Sequence, residues 1–277
     1  MTARDESLAG KVECNHRARE ETAMVLLGHP SPALAPFVEL FWQDDRYRSL
    51  THRERVLPIG AFTMVFDLAR GVGILGGLRS KCIEFDTGPV TTVVGVLFRP
   101  AGGRALFRFS AEDLHNRTVP LDLLWGSGAN ELCDRMREVT CPYARFQILE
   151  DALMRRMRPR AILHPAVDRG LHEFRRVPHV RRVLEVVKDT GLSRRQFSQL
   201  FREQVGLTPK LYCRLHRFYW VLDRISSGLG VEWADVAAAG GYSDQAHLVH
   251  EFREFSGFSP AAFLKAERPS GAHVRVS

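Results

Sequence analysis

The sequence predicts an α+β chain of two domains. A small β-barrel or sandwich with helices after it forms the N-terminal part, and an all-α C-terminal part carries two helix-turn-helix units joined by a long helix. Three observations point there: short strand-like runs separated by Gly, Pro and Asp fill residues 37–98, helical periodicity takes over from about residue 101, and one sequence unit occurs twice near the C-terminus. At 277 residues and 45% hydrophobic content, the chain has apolar material enough for two cores.

Residues 1–25 are polar and charged, lack the apolar core of a signal peptide, and read as a loose tail. Strands are expected at Phe37–Gln43, Arg55–Leu57, Phe62–Leu68, Lys81–Phe85 and Thr91–Phe98, with turns at Pro58-Ile59-Gly60, Arg70-Gly71-Val72-Gly73 and Gly76-Gly77. Short helical turns follow at Gly102–Phe107 and Ala111–His115, then amphipathic helices at Ser127–Val139 and Pro142–Met157. The last of these puts Phe146, Leu149, Leu153 and Met157 on one stripe, which packs on the barrel or pairs with a second subunit. Residues 155–167, RRMRPRAILHPAV, combine two prolines with a basic cluster and mark the junction. A β-rich regulatory domain with a helical end therefore spans 26–160, a helical domain 161–268 and a tail 269–277.

The repeated unit reads GLSRRQFSQLFREQVGLTP at 191–209 and GYSDQAHLVHEFREFSGFSP at 241–260. In each copy a Gly suited to positive φ ends one helix, and a Ser or Asp caps the next, with Asp244 as the counterpart of Ser193. Phe197, Leu200 and Phe201 fall on the inner face of the first helix, leaving Arg194, Arg195, Ser198, Gln199 and Arg202 outside. The second buries Leu248, Phe252 and Phe255 and leaves Gln245, Ala246, Val249, His250 and Arg253 outside. Shorter helices upstream, in PHVRRVLEVVKDT and EWADVAAAG, complete two helix-turn-helix patterns.

Residues 165–266 resemble the DNA-binding domain of the AraC/XylS family of transcriptional regulators, most specifically through Ala237–Leu248, Phe252-Arg253 and Gly257-Phe258-Ser259-Pro260. Pro209 to about Ile225 is similar to the long central helix of that family, with Leu211, Tyr212, Leu215, Phe218, Leu222 and Ile225 as its buried stripe. The first unit departs from the family pattern at Val187, where Ala is usual, and at polar Thr190. The resemblance implies a DNA-binding regulator rather than an enzyme, with double-stranded DNA as partner. A small-molecule effector, a homodimer and a contact with RNA polymerase stay open. It also implies an N-terminal domain that senses or dimerises, of the small cupin-like barrel kind. Trp42, Phe62, Phe66 and Phe98 then either line an effector pocket or simply form the barrel core, since a small barrel filled by its own side chains leaves no ligand space.

In the major groove, Arg195 is placed for bidentate contact with guanine, Arg194 or Arg202 for phosphate, and Ser198 and Gln199 for other base edges. Gln245 suits adenine, Ala246 and Val249 thymine methyls, and His250 a base or phosphate. Charge agrees: the net charge is +7, and residues 161–277 contribute 17 Lys+Arg against 12 Asp+Glu, or +5. No apolar run reaches the ~18–20 residues of a membrane span, and five scattered cysteines suggest neither disulfides nor zinc, so the chain reads as cytoplasmic. His52, Glu54, Glu84 and His115 lack metal-ligand spacing, and Gly71–Gly76 matches G-x-G-x-x-G without the helix that should follow, so no metal or cofactor is expected. The competing reading is a ligand-binding or enzymatic barrel whose C-terminal helices serve association only.

Overall fold

The computed structural model describes residues 25–47, 53–86, 91–107, 109–158, 163–176, 183–226, 232–266 and 273–276. The N-terminal part runs β1 (Val25–Gly28), β2 (Val38–Tyr47), β3 (Arg53–Val56), β4 (Thr63–Asp67), β5 (Val72–Gly76), β6 (Ile83–Asp86), β7 (Thr91–Phe98), α1 (Pro100–Leu106), a 3-10 turn (Ala111–Leu114), β8 (Thr118–Pro120), α2 (Asp122–Trp125), α3 (Ser127–Arg137) and α4 (Pro142–Arg156). The C-terminal part follows as α5 (Pro165–Arg176), α6 (Val183–Lys188), α7 (Arg194–Val205), α8 (Pro209–Ser226), α9 (Trp233–Ala239), α10 (Gln245–Ser256), α11 (Pro260–Lys265) and β9 (His273–Val276).

The sheet-rich start and the helical end are as expected. The main sheet has the order β1-β2-β7-β4-β5-β8, with antiparallel pairing throughout, and a second sheet has the order β6-β3-β9. The six-stranded sheet is open, because its outer strands β1 and β8 do not meet and β3 and β6 pair in the smaller sheet. Strands β1, β5 and β8 lie outside the runs expected from sequence. β5 occupies Val72–Gly76, within the Gly-rich stretch expected to turn. There Gly73 lies under the Phe66 ring, whose atoms come within 2.8 Å of where a Cβ would stand. The glycine marks a close approach inside a strand.

One face of the sheet carries Phe41, Met64, Phe66, Val94, Val96 and Phe98 into the core beneath α3 and α4. Phe41 stacks on Phe146 of α4 at 5.8 Å, and Phe146, Leu149 and Leu153 are buried, so the α4 stripe packs within the chain. The buried cluster then continues without a break into the helical part, through Leu163, Val167, Phe174, Phe197, Phe201, Tyr212, Phe218 and Phe252. Residues 273–276, expected as part of a tail, form β9 and pair with β3. Residues 1–24 and 159–162, at the N-terminal tail and the junction, lie outside the described residues.

Candidate nucleic-acid interface

The local chemistry of α7 explains where it starts and stops. Ser193 Oγ accepts from the Gln196 N–H at 3.3 Å, while Gln196 Oε1 accepts from the Ser193 N–H at 3.0 Å, which closes a capping box. The helix ends at Gly206, whose φ of 91° lets its N–H reach the Arg202 carbonyl at 2.8 Å. Thr208 Oγ1 then accepts from the Leu211 N–H at 3.2 Å, and Pro209 opens α8.

The second copy repeats the cap and the glycine stop, without the reciprocal half of the capping box. Asp244 caps α10 by accepting from the His247 N–H at 2.7 Å, and that hydrogen bond holds its carboxyl below the usual range. Gly257, φ 76°, ends the helix, and Ser259 caps α11 with Pro260 at its first position. The glycines that open the turns, Gly191 and Gly241, have φ of 70° and 71°. Polar Thr190 is accommodated because its Oγ1 donates to the Val187 carbonyl at 2.7 Å.

Burial divides both helices as expected, with one exception. Phe197, Phe201, Leu248, Phe252 and Phe255 are buried, whereas Leu200 is half-buried. On α8, Tyr212, Leu215, Phe218 and Ile225 are buried, Leu211 and Leu222 half-buried, and Val221 takes the inner position. Arg194, Arg195, Gln199, Arg202, Gln245, Ala246, His250 and Arg253 are exposed; Ser198 and Val249 are half-exposed. Each set of five borders one shallow depression on its own helix, the first more polar and the second more apolar.

The charges on α7 are placed against its own helix. Its first turn holds Arg194 and Arg195 and no acidic residue, although the positive end of the helix dipole favours anions there. Among the described residues neither arginine forms an ion pair. Exposed cations at the positive end of a helix dipole together favour an anion there. Two further candidates on α7 are engaged: Gln199 Nε2 donates to Glu203 at 2.9 Å, and Arg202 Nε lies 3.6 Å from Glu112 of the N-terminal part.

A polar node that sequence reasoning missed holds α10 on α8. Glu251, only 3% exposed at its side chain, accepts from Arg214 Nε at 2.7 Å and from Arg217 Nη2 at 3.1 Å. Arg214 also reaches Glu254 at 2.5 Å, and Arg217 lies 4.9 Å over the Tyr242 ring. Burial alone would lower the Arg214 pKa, yet the hydrogen bonds to Glu254 and Glu251 outweigh it and raise the value. The available signal was Glu251 between Leu248 and Phe252, on the side of α10 that faces inward.

The residues considered for an effector pocket are not gathered in one place. Phe62, Phe66 and Phe98 are fully buried members of the core, while Trp42, next to Phe41 in β2, points to the opposite face of the sheet. Among the described residues no cluster of His, Cys, Asp and Glu could hold a metal, and no helix is long and apolar enough to cross a membrane. Gly71–Gly76 belongs to the β4–β5 hairpin rather than to a strand-to-helix turn.

Comparison with known proteins agrees with this geometry in the C-terminal part. Residues 186–266 match the model of a helix-turn-helix domain, and residues 28–120 match a domain of unknown function (DUF6597). No curated protein matches the chain. Similar solved structures include the C-terminal domain of AraT, a response regulator from Geobacillus stearothermophilus, at 17% identity over 37% of this chain and 86% of that one, TM-score 0.35. ToxT from Vibrio cholerae bound to (E)-4-(8-methylnaphthalen-1-yl)but-3-enoic acid is 8% identical over 88% of this chain and 99% of that one, TM-score 0.43. Wild-type ToxT with an unsaturated fatty acid is 8% identical over 90% and 96%, TM-score 0.41. The domain match and the repeated cap-helix-cap plan make residues 186–266 an AraC-type helix-turn-helix domain.

Proposed function

We propose that the chain is a sequence-specific DNA-binding transcription regulator that lays α7 and α10 into successive major grooves on one face of the duplex. The observation that carries this is the pair of uncompensated arginines, Arg194 and Arg195, in the exposed first turn of α7. Helix α8 carries both units on one element, with α7 resting near its start through Phe201 and Tyr212, and α10 near its middle through Glu251, Phe252 and Phe255 on Arg214, Arg217 and Phe218. Two helices held on one rigid helix suit successive major grooves, roughly 34 Å apart.

The two reading faces do different work. Arg195 presents a planar fork to guanine O6 and N7, Arg194 grips phosphate beside it, and Ser198 and Gln199 meet neighbouring base edges. Arg202, two turns on, reaches backbone phosphate when it leaves Glu112. On α10, Gln245 reads adenine, Ala246 and Val249 touch thymine methyls, and His250 and Arg253 contact base or backbone. Residues 26–160 form the regulatory domain, which acts on the helical domain 161–268 through an effector or partner; the contacts of Glu112, Arg55 and Pro58 with the helical part support that route.

The test is selection of duplexes from a random pool by the full chain, followed by mobility shift on the selected and scrambled sequences. A reproducible motif with two segments about one helical turn apart is expected. Binding of all duplexes alike, or of none at low salt, would refute the reading.

A further inference from the structure

Among the described residues, the N-terminal part makes polar contacts with the helical domain at the far ends of both reading helices and in the middle of α8. At the end of α7, Ser110 Oγ donates to the Glu203 carbonyl at 3.3 Å, and Glu112 lies 3.6 Å from Arg202. The Ala111 carbonyl stands against Gly206 there. In the middle of α8, the Tyr219 hydroxyl accepts from the Gly60 N–H at 2.9 Å and donates to the Pro58 carbonyl. At the end of α10, Arg55 Nη1 donates to the Ser256 carbonyl at 3.3 Å, and the guanidinium lies 4.6 Å over the Phe258 ring. Glu84, one strand away, holds Arg55 in that pose.

We propose that the N-terminal part is a bracket that fixes the separation and mutual rotation of α7 and α10, with Arg55, Tyr219 and Ser110–Glu112 as positioning residues. The inference rests on the two-groove reading above. Each of the hydrogen bonds made by Ser110, Tyr219 and Arg55 across this boundary ends on a main-chain atom, so they constrain where the helices are rather than which side chains they display. Arg55 also answers a need of α10 itself, since the last carbonyls of a helix lack intrahelical partners and the negative dipole end favours a cation. Both helices are gripped at the end away from the bases, which leaves their first turns free. Within the helical domain α7 and α10 each rest on α8; the bracket adds a direct path between their far ends through the N-terminal core.

Such a bracket predicts a strict spacing requirement on DNA. One inserted base pair moves one half-site by about 3.4 Å and rotates it by about 35°. With a duplex selected from a random pool and its two contacted segments mapped by footprinting, one base pair is inserted between them. The parent chain is expected to lose roughly tenfold or more in affinity for the inserted duplex, comparable to one mismatched base pair. Arg55→Met and Tyr219→Phe, singly and together, should still bind the native spacing but shrink that penalty to about threefold.

Variants that bind the native site and keep the full penalty would overturn the bracket. If the parent chain selects no sequence at all, the two-groove reading falls first and takes the bracket with it. A second measurement needs no DNA: double electron–electron resonance between nitroxides at Arg194→Cys and Gln245→Cys, with the native cysteines replaced by serine. A narrow distance distribution in the parent that broadens with Arg55→Met and Tyr219→Phe supports the bracket, and equal widths refute it.

Discussion

Replacing Arg195 by glutamate should move stability and DNA binding in opposite directions. Arg195 sits in the first turn of α7, exposed and without an ion pair among the described residues, where the helix dipole disfavours a cation. Each unit of charge at an exposed helix end is worth about 0.3–1 kcal/mol, so exchanging a cation for an anion should stabilise the fold by about 1 kcal/mol. For a chain of this size that is a rise in Tm of about 2–3 °C. Loss of a guanine-reading fork should cost about 1–3 kcal/mol, or roughly 5- to 150-fold in affinity for the selected site. Thermal unfolding by circular dichroism reads the first effect, and mobility shift on selected and scrambled duplexes reads the second. A variant less stable than the parent would mean Arg195 supports the fold. One that is more stable and binds as before would remove Arg195 from the interface.

Three further outcomes follow from other contacts. Arg202→Ala should weaken selected and scrambled duplexes alike and reduce the salt slope by about one, whereas Glu112→Gln should strengthen both by freeing Arg202; equal affinities across parent and variants in a salt titration would contradict this. Glu251→Ala leaves Arg217 without its carboxylate and should cost about 3 kcal/mol in urea unfolding; a loss under 1 kcal/mol would mean the node adds little. His216, packed 4.3 Å from Tyr212 with its pKa lowered by burial from 6.5 to about 4, is neutral in the fold. The unfolded chain therefore binds a proton that the fold does not, so stability is full above about pH 6.5 and falls as pH drops toward 4. Substituting His216→Phe should flatten that stretch of the stability–pH curve, and an unchanged slope would assign it to other groups.

Much of the helical domain was legible because its signals are local. Ser193, Asp244, Gly206 and Gly257 act on atoms within one turn of themselves, and the Phe197/Phe201 and Leu248/Phe252 spacings follow directly from 3.6 residues per turn. The reading faces followed by elimination once those inner positions were fixed. What failed was either non-local or glycine-masked. Strand β5 reads as a turn until Phe66 is known to lie over Gly73, and β9 is called into being by β3, more than 200 residues earlier in the chain. The node at Glu251 is non-local as well, since its partners, Arg214 and Arg217, belong to another helix. Trp42 and Phe66, which the sequence offers together as pocket lining or barrel core, lie on opposite faces through alternation along β2 and the register with β7 and β4.

The pairing of β9 with β3 also bears on how the helical domain can move. The chain leaves the sheet-rich part after α4 and comes back to it at His273–Val276, so the helical domain is tied to that part at both ends of its chain, besides the contacts of α7, α8 and α10. A body on a single tether can tumble about every axis, whereas one anchored at two separated points keeps a single free rotation, about the line that joins them. A rearrangement that releases those contacts and leaves β9 in place is thus a hinge with a defined axis. Swinging about it would carry both reading helices together, as one body.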